Sequence, residues 1–140
     1  MTRHLIPPIL ILCCVDYRYI QTIQAFVKTR LRVQAYNLKT DAGGTNALLT
    51  GHRAVRAWIL RNVQLAYERQ GVRRVLLFHH QDCLLYGGSR AFATPKEEAL
   101  AHTQHLVSAA QFLKSRFEGL RVQAFYAYRR RQSITFRAVA

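Results

Sequence analysis

Cys14, Asp16 and Arg18 stand at alternate positions directly after the apolar run Ile9–Cys13. A thiol, a carboxylate and a guanidinium are thereby offered where a buried strand emerges into a crevice. A second element, His80-Gln81-Asp82-Cys83, follows another apolar run, Val75-Leu76-Leu77-Phe78. Cys14, His80 and Cys83 form a soft donor set that suits zinc and leaves a fourth position open. His80 and Cys83 are three apart, so one turn of chain wraps the metal from one side while Cys14 approaches from a neighbouring strand. The remaining donors are worse placed. Cys13 and His79 precede Cys14 and His80 on strands and should point to the opposite face, and His52 falls inside a predicted helix. The fourth position therefore goes to a water or to Asp16, and an open position marks a catalytic zinc.

Asp16 and Arg18 share a face if strand geometry continues past Cys14. The guanidinium then depresses the carboxylate's pKa and keeps it charged. A charged Asp beside zinc accepts the proton of a zinc-bound water, whose pKa the metal lowers to about 7. The inert reading of the pair is a surface salt bridge worth roughly 0–1 kcal/mol. The matching His80/Cys83 element favours the catalytic role.

The elements that must position these residues follow from the hydrophobic pattern. Short apolar runs alternate with longer helical ones, which predicts a three-layer α/β/α fold with a mostly parallel sheet of about five strands. Ile9–Cys14 reads as a strand buried on both faces. Ile20, Ile23, Phe26, Val27 and Leu31 have helical spacing over Tyr19–Leu31. Val33–Leu38 is a short strand that enters the turn Asp41-Ala42-Gly43-Gly44. A helix capped by Thr45 or Asn46 then runs to Gly71, with Leu48, Leu49, Val55, Trp58, Ile59, Val63 and Leu65 facing the core. Val72–Phe78 is the third strand. Thr94-Pro95-Lys96-Glu97 starts the next helix with a Thr cap, an early Pro and a capping-box Glu, and Gly119 stops it after Phe117. Leu120–Tyr128 and Ser133–Val139 form a closing hairpin, which makes the last strand antiparallel. Ligands of open α/β sheets bind beyond the carboxyl ends of the strands, and Cys14, Gly43-Gly44 and His80 all fall at such ends.

Composition sets outer bounds. The 140 residues, half of them apolar, read as one domain over 1–140 with a single core. The three cysteines, two of them adjacent, do not resemble a secreted disulfide framework and fit a reduced, cytoplasmic setting. Arg3 and the stretch Leu5–Val15 mimic a signal peptide in outline. Pro7-Pro8 interrupts the stretch, no small-residue cleavage site follows, and the run is too short to span a bilayer, which takes about 20 residues. No membrane partner is expected. The net charge of +14 attracts polyanions through Arg53, Arg56 and Arg61, through Arg69, Arg73 and Arg74, and through Arg129-Arg130-Arg131. No nucleic-acid motif accompanies it, so a solvated basic surface is the preferred reading and nucleic acid the alternative.

Cys14-x-Asp16-x-Arg18 after a first strand, Ala42-Gly43 after the second and His80-x-x-Cys83 after the third together resemble the β-class carbonic anhydrases. The resemblance runs from Ile9 to Cys83 and on through the βαβ framework. It implies Zn2+ held by Cys14, His80 and Cys83, with Asp16 and Arg18 as a dyad that orients the fourth ligand. It further implies reversible hydration of carbon dioxide to bicarbonate by a zinc-bound hydroxide, and a homodimer or higher homo-oligomer. The exposed final strand, with Ile134, Phe136 and Val139, points to a partner in the same way. Tyr17 stands where the family usually has Ser, Leu84 where Gly is usual, and Asp41-Ala42-Gly43-Gly44 only resembles the usual Arg-x-Ala-Gly-Asn turn. Long N-terminal helices are lacking, so the chain resembles a compact, divergent member.

Hydrolysis of carbonyl sulfide or carbon disulfide at the same site is an alternative, since these substrates share a linear apolar shape. Pocket lining must decide, and Tyr17, Tyr19, Phe78, Leu84, Leu85 and Tyr86 are the candidates. A non-catalytic basic zinc protein that binds nucleic acid is the third reading. A Cys-x5-Arg oxyanion loop is absent: Cys83 and Arg90 miss that spacing by one residue, as do Cys13 and Arg18.

Overall fold

The computed structural model describes residues 8–50 and 52–140. Arg3, Leu5 and Pro7, on which the signal-peptide comparison partly turned, lie outside the described residues. Strand β1 (Ile9–Cys13) pairs in parallel with β2 (Tyr36–Thr40) on one side and β3 (Arg74–His80) on the other. β4 (Arg121–Arg130) runs parallel to β3, and β5 (Ser133–Ala138) closes the sheet antiparallel to β4. The strand order is β2-β1-β3-β4-β5. β1 and β3 are central and covered on both faces, which is why their runs are continuously apolar rather than alternating.

Helix α1 (Tyr17–Thr29) covers one face, packing Tyr19, Ile23 and Val27 against Ile11, Cys13, Leu76, Phe78 and Phe125. Helices α2 (Asn46–Leu49), α3 (Arg53–Gln70) and α4 (Pro95–Arg116) cover the other, over Leu10, Leu12, Val75, Leu77, Ala124 and Tyr126. The three-layer α/β/α arrangement is therefore present, with its single antiparallel strand last. The Thr94 hydroxyl accepts the Glu97 N–H at 3.1 Å, as the start signal of α4 required. The closing hairpin turns at Arg131, which takes a left-handed φ of 60°. No described helix is long and apolar enough to cross a membrane.

Several boundaries move, each for a local reason. Val33 is not in β2. Arg32 adopts φ 56° and the Val33 N–H bonds back to the Val27 carbonyl at 3.0 Å, so Val33 finishes the wrap at the end of α1. The expected helix from Thr45 to Gly71 is two helices. His52 caps the second by accepting the Ala54 N–H on its side chain. The buried stripe of α3 is Ile59, Val63 and Ala66, which keeps two of the expected core positions. Val55, Trp58 and Leu65, expected in the core, are 42%, 56% and 45% exposed. His52 is exposed at a helix start and is not among the clustered donors.

The last strand is also less available than its sequence implied. Phe136 stacks on Phe26 of α1 at 4.2 Å, and Ile134 packs into the same core. The apolar side chains of β5 are thus committed to this chain, and what its edge offers is main chain. Of the basic clusters, Arg73 is spent on the Tyr67 and Val72 carbonyls and lies 3.8 Å over the Tyr67 ring, while Arg74 bonds Gln123. Arg53, Arg56 and Arg61 remain exposed.

Candidate metal centre

β1, β2 and β3 end side by side, and their carboxyl ends carry the chemistry. Cys14 lies one residue past β1, Gly43 and Gly44 follow β2, and His80 is the last residue of β3. One donor atom each from Cys14, His80 and Cys83 lie within 4.8 Å of one another, and all three residues are buried. Among the described residues no other group of three or more such donors converges this way. The two sulfurs are 4.0 Å apart.

The imidazole is aimed by its surroundings. His80 Nδ1 lies 2.7 Å from the Gln81 carbonyl, which only accepts, so Nδ1 carries the proton and Nε2 presents a lone pair. The ring lies against Tyr19, centroids 4.2 Å apart and planes 23° from parallel. Nε2 is buried with no hydrogen-bond partner. An orphaned polar atom of this kind costs about 1–3 kcal/mol, and a cation at the donor cluster removes that cost. The donor set and this bare nitrogen fit zinc.

The thiols are poised for the same role. Cys14 Sγ accepts from Cys83 and from the Gly43 N–H at 3.4 Å, and these bonds hold its pKa far below the ordinary thiol value against the effect of burial. Cys83 moves the opposite way, raised by its bond to Cys14, by burial and by the charge on its neighbour. The pair therefore gives up one proton readily and holds the other, and a cation between the sulfurs is what lets both ionise. Cys13 points into the core under α1, where burial pushes its thiol up to about 12. It is a packing residue.

Asp16 and Arg18 come together, but not by extended geometry. β1 ends at Cys13 and α1 begins at Tyr17, so Asp16 is the N-cap of α1 and its Oδ1 accepts the Arg18 N–H at 2.9 Å. The Arg18 guanidinium folds back onto the same carboxylate, with Nη2 2.7 Å from Oδ2 and Nε 3.1 Å from Oδ1. Hydrogen bonds from the Arg18 side chain hold the Asp16 carboxyl below the usual carboxylate range. Asp16 Oδ2 is 3.9 Å from His80 Nε2, at the open side of the donor cluster.

Asp82 has no role in the sequence reading, although it lies inside the His80–Cys83 element. Arg18 Nη1 donates to Asp82 Oδ2 and Nη2 to the Asp82 carbonyl, both at 2.9 Å. Asp82 Oδ1 in turn accepts the Ser89 N–H at 2.9 Å, and buried Glu98 of α4 accepts from the Asp82 N–H and the Ser89 hydroxyl, both at 2.8 Å. Arg18 thus ties the loop bearing Cys83 to the helix start bearing Asp16. The available signal was an acid between two donors, in a loop with a basic residue to satisfy.

A cavity of about 490 Å³ opens onto the cluster, lined by Cys14, Val15, Asp16, Arg18, Gly43 and Asp82 together with Tyr17, Leu84 and Leu85. Of the six expected lining residues, Tyr17, Leu84 and Leu85 are there. Tyr19 backs the His80 ring, Phe78 is core, and Tyr86 turns away to His105, 2.7 Å from its Nδ1. Tyr17 and Leu84, the two departures from the resembled motifs, are 85% and 79% exposed at the mouth of the cavity.

Comparison with known proteins agrees with this geometry. A family model described as putative carbonic anhydrase matches residues 8–136. No curated protein matches the sequence. The fold is similar to that of a carbonic anhydrase from Streptococcus mutans at TM-score 0.61 and 16% identity, covering 94% of this chain and 81% of that one. It is similar to a carbonic anhydrase from Glaciozyma antarctica at TM-score 0.58 and 18% identity, covering 96% and 85%. A β-carbonic anhydrase from Trichomonas vaginalis follows at TM-score 0.57 and 14% identity, covering 96% and 81%. The match along nearly the whole chain, with the same α/β/α sheet and a Cys/His/Cys cluster at its strand tips, places this chain in the β-carbonic anhydrase superfamily.

Proposed function

We propose that the chain is a zinc-dependent carbonic anhydrase that interconverts carbon dioxide and bicarbonate, with Cys14, His80 and Cys83 as the metal ligands and Asp16 and Arg18 as the dyad. The observation that carries this reading is the bare, buried Nε2 of His80, facing two paired sulfurs and flanked by an ion-paired carboxylate. Bound zinc would supply a Lewis acid that lowers the pKa of water at the open position to about 7.

The protein's own groups do the rest. Both Asp16 oxygens are taken up by the fork of Arg18, which holds the carboxylate as an acceptor beside the cluster rather than as a ligand within it. Held ionised, Asp16 would accept a hydrogen bond from water at the open position and so orient the water's lone pair toward the substrate. Val15, Leu84 and Leu85 give the cavity an apolar wall suited to an uncharged linear molecule. Arg18 keeps a positive charge near the product anion. The domain of residues 1–140 works as a homodimer or higher oligomer in a reducing, cytoplasmic setting. Open edges at β2 and β5 support assembly, as do the solved tetrameric β-carbonic anhydrases of Sordaria macrospora.

Zinc-loaded protein followed by stopped flow with a pH indicator is expected to hydrate carbon dioxide at a rate proportional to its zinc content. Zinc bound at one equivalent with no acceleration over buffer would falsify the reaction while leaving the metal site standing. The paired thiols give a second expectation. Cys14 is pulled down and Cys83 pushed up, so below the pKa of about 7 of a zinc-bound water, zinc binding is expected to release about one proton and apparent affinity to rise about tenfold per pH unit. Calorimetry in buffers of different ionisation enthalpy measures the release, and a value near zero refutes the shared proton.

A further inference from the structure

His79 immediately precedes His80, and its ring enters the opposite face of the sheet, where the site's chemistry has no use for it. Its Nε2 accepts the Thr45 N–H at 3.2 Å and lies 2.7 Å from the Thr45 hydroxyl. A ring nitrogen that accepts a backbone N–H bears no proton, so the ring hydrogen is on Nδ1 and points at His102 Nδ1, 3.1 Å away on α4. Both rings are fully enclosed, His79 at 2% and His102 at 0% exposure.

The cost of this arrangement is visible on both sides of it. Thr45 is the N-cap residue of α2, yet its side chain makes no capping bond and is turned to His79 instead. Gly44 has φ 64°, and a Cβ there would come within 3.0 Å of the His79 ring and 2.9 Å of the Phe78 carbonyl. Residue 44 is therefore glycine both for its backbone and because the imidazole fills the space beside it. The turn so held is the one whose Gly43 N–H donates to Cys14 Sγ at 3.4 Å. A continuous strut runs from α4 through His102, His79 and Thr45 to the glycine turn and ends on a sulfur of the donor cluster.

We propose that His79, braced by His102, is a positioning residue that sets the Gly43-Gly44 turn so that the Gly43 N–H meets the Cys14 thiolate. The inference rests on the proposed role of Cys14 as a metal ligand. An N–H donated to a ligating thiolate fixes its orientation and moderates its charge, and loss of such an outer partner typically lowers metal affinity by about 10–100-fold.

Cobalt(II) titration of the full chain tests this, because thiolate-to-cobalt charge-transfer absorption reports both affinity and the state of the sulfurs. His79→Leu is expected to weaken cobalt binding by about 10–100-fold and to shift the charge-transfer band. His79→Gln, whose carbonyl still accepts from Thr45 and whose amide still reaches His102, is expected to restore most of both. Leu113→Ala, a buried change on α4 three turns beyond His102, is expected to lower the melting temperature and leave the cobalt spectrum unchanged. If His79→Leu does not fold, His102→Phe carries the same readouts, since it removes the Nδ1 acceptor and an Nε2 that has no partner while keeping an aromatic ring against Tyr126. Wild-type affinity and spectrum in the variant measured would overturn the inference, as would an equal loss of affinity in Leu113→Ala. A wild-type chain that takes up no cobalt would overturn the metal-site reading itself, and the inference with it.

Discussion

Asp16→Asn is expected to retain its zinc and to lose carbon dioxide hydration by about 10²–10⁴-fold, the usual contribution of a positioned proton acceptor. The substitution is clean for structural reasons. Asn is as good an N-cap as Asp, so its side-chain oxygen still accepts the Arg18 N–H and α1 still starts at Tyr17. Arg18 keeps its two bonds to Asp82, so the Cys83 loop stays tied. What disappears is the negative charge 3.9 Å from His80 Nε2, together with the Arg18 bonds to Oδ2, where an amide NH2 cannot accept. The pH dependence follows in sign. The folded pKa of Asp16 lies below its unfolded value, so the stability it contributes is present above about pH 4 and is lost as pH falls through the folded value. The wild type and Asp16→Asn should therefore converge in stability only in acid, and protonation of Asp16 should not limit turnover near neutrality. Stopped-flow rates and zinc content measured on the same samples decide the matter. Unchanged turnover would remove Asp16 from the mechanism, and loss of zinc would make it a ligand.

The Cys14, His80 and Cys83 cluster was legible because it rests on the strand tips, the most strongly specified part of an α/β sequence. Continuous apolar runs fix where β1 and β3 end, and the residues just past those ends have nowhere to go but the crevice. Alternation along a strand then separated Cys14 from Cys13 and His80 from His79, and the structure keeps both separations. The route by which Asp16 reaches Arg18 was not legible. Asp can extend a strand or cap a helix, and the capping bond to the Arg18 N–H decides it. Val55, Trp58 and Leu65 misled because apolarity does not by itself mean burial. At about 100° per residue Trp58 and Leu65 lie well off the line of Ile59, Val63 and Ala66 in the same helix, and Val55 sits in its exposed first turn. The Asp82–Glu98 link joins residues 16 apart and required knowledge of how α4 docks. Thr94 and Pro95, by contrast, mark the start of that helix by local rules alone.

Cys14→Ser is expected to abolish stable zinc binding, an effect well beyond the roughly 10–100-fold cost of losing an outer partner. A serine hydroxyl does not ionise under these conditions, and the soft thiolate is half of the sulfur pair the site depends on. It is a sharper test than His80→Ala, which also strips the ring from its stack on Tyr19 and leaves a void in the core. The change is nearly isosteric, and the apo protein should fold. In the wild type, zinc at about 1,000 times its dissociation constant should stabilise the native state by about 4 kcal/mol, a rise in melting temperature on the order of 10 °C. Cys14→Ser should show no such rise at the same zinc concentration. Removing one thiol also removes the cause that holds the other proton so tightly, so the Cys83 thiol should titrate closer to its ordinary value in the variant. Thiol titration at 240 nm, alongside thermal melts with zinc and with chelator, gives both readouts. A zinc-dependent rise in Cys14→Ser equal to that of the wild type would place the metal somewhere other than the strand tips. A Cys83 pKa unmoved by the substitution would show that burial, rather than the neighbouring sulfur, governs its charge.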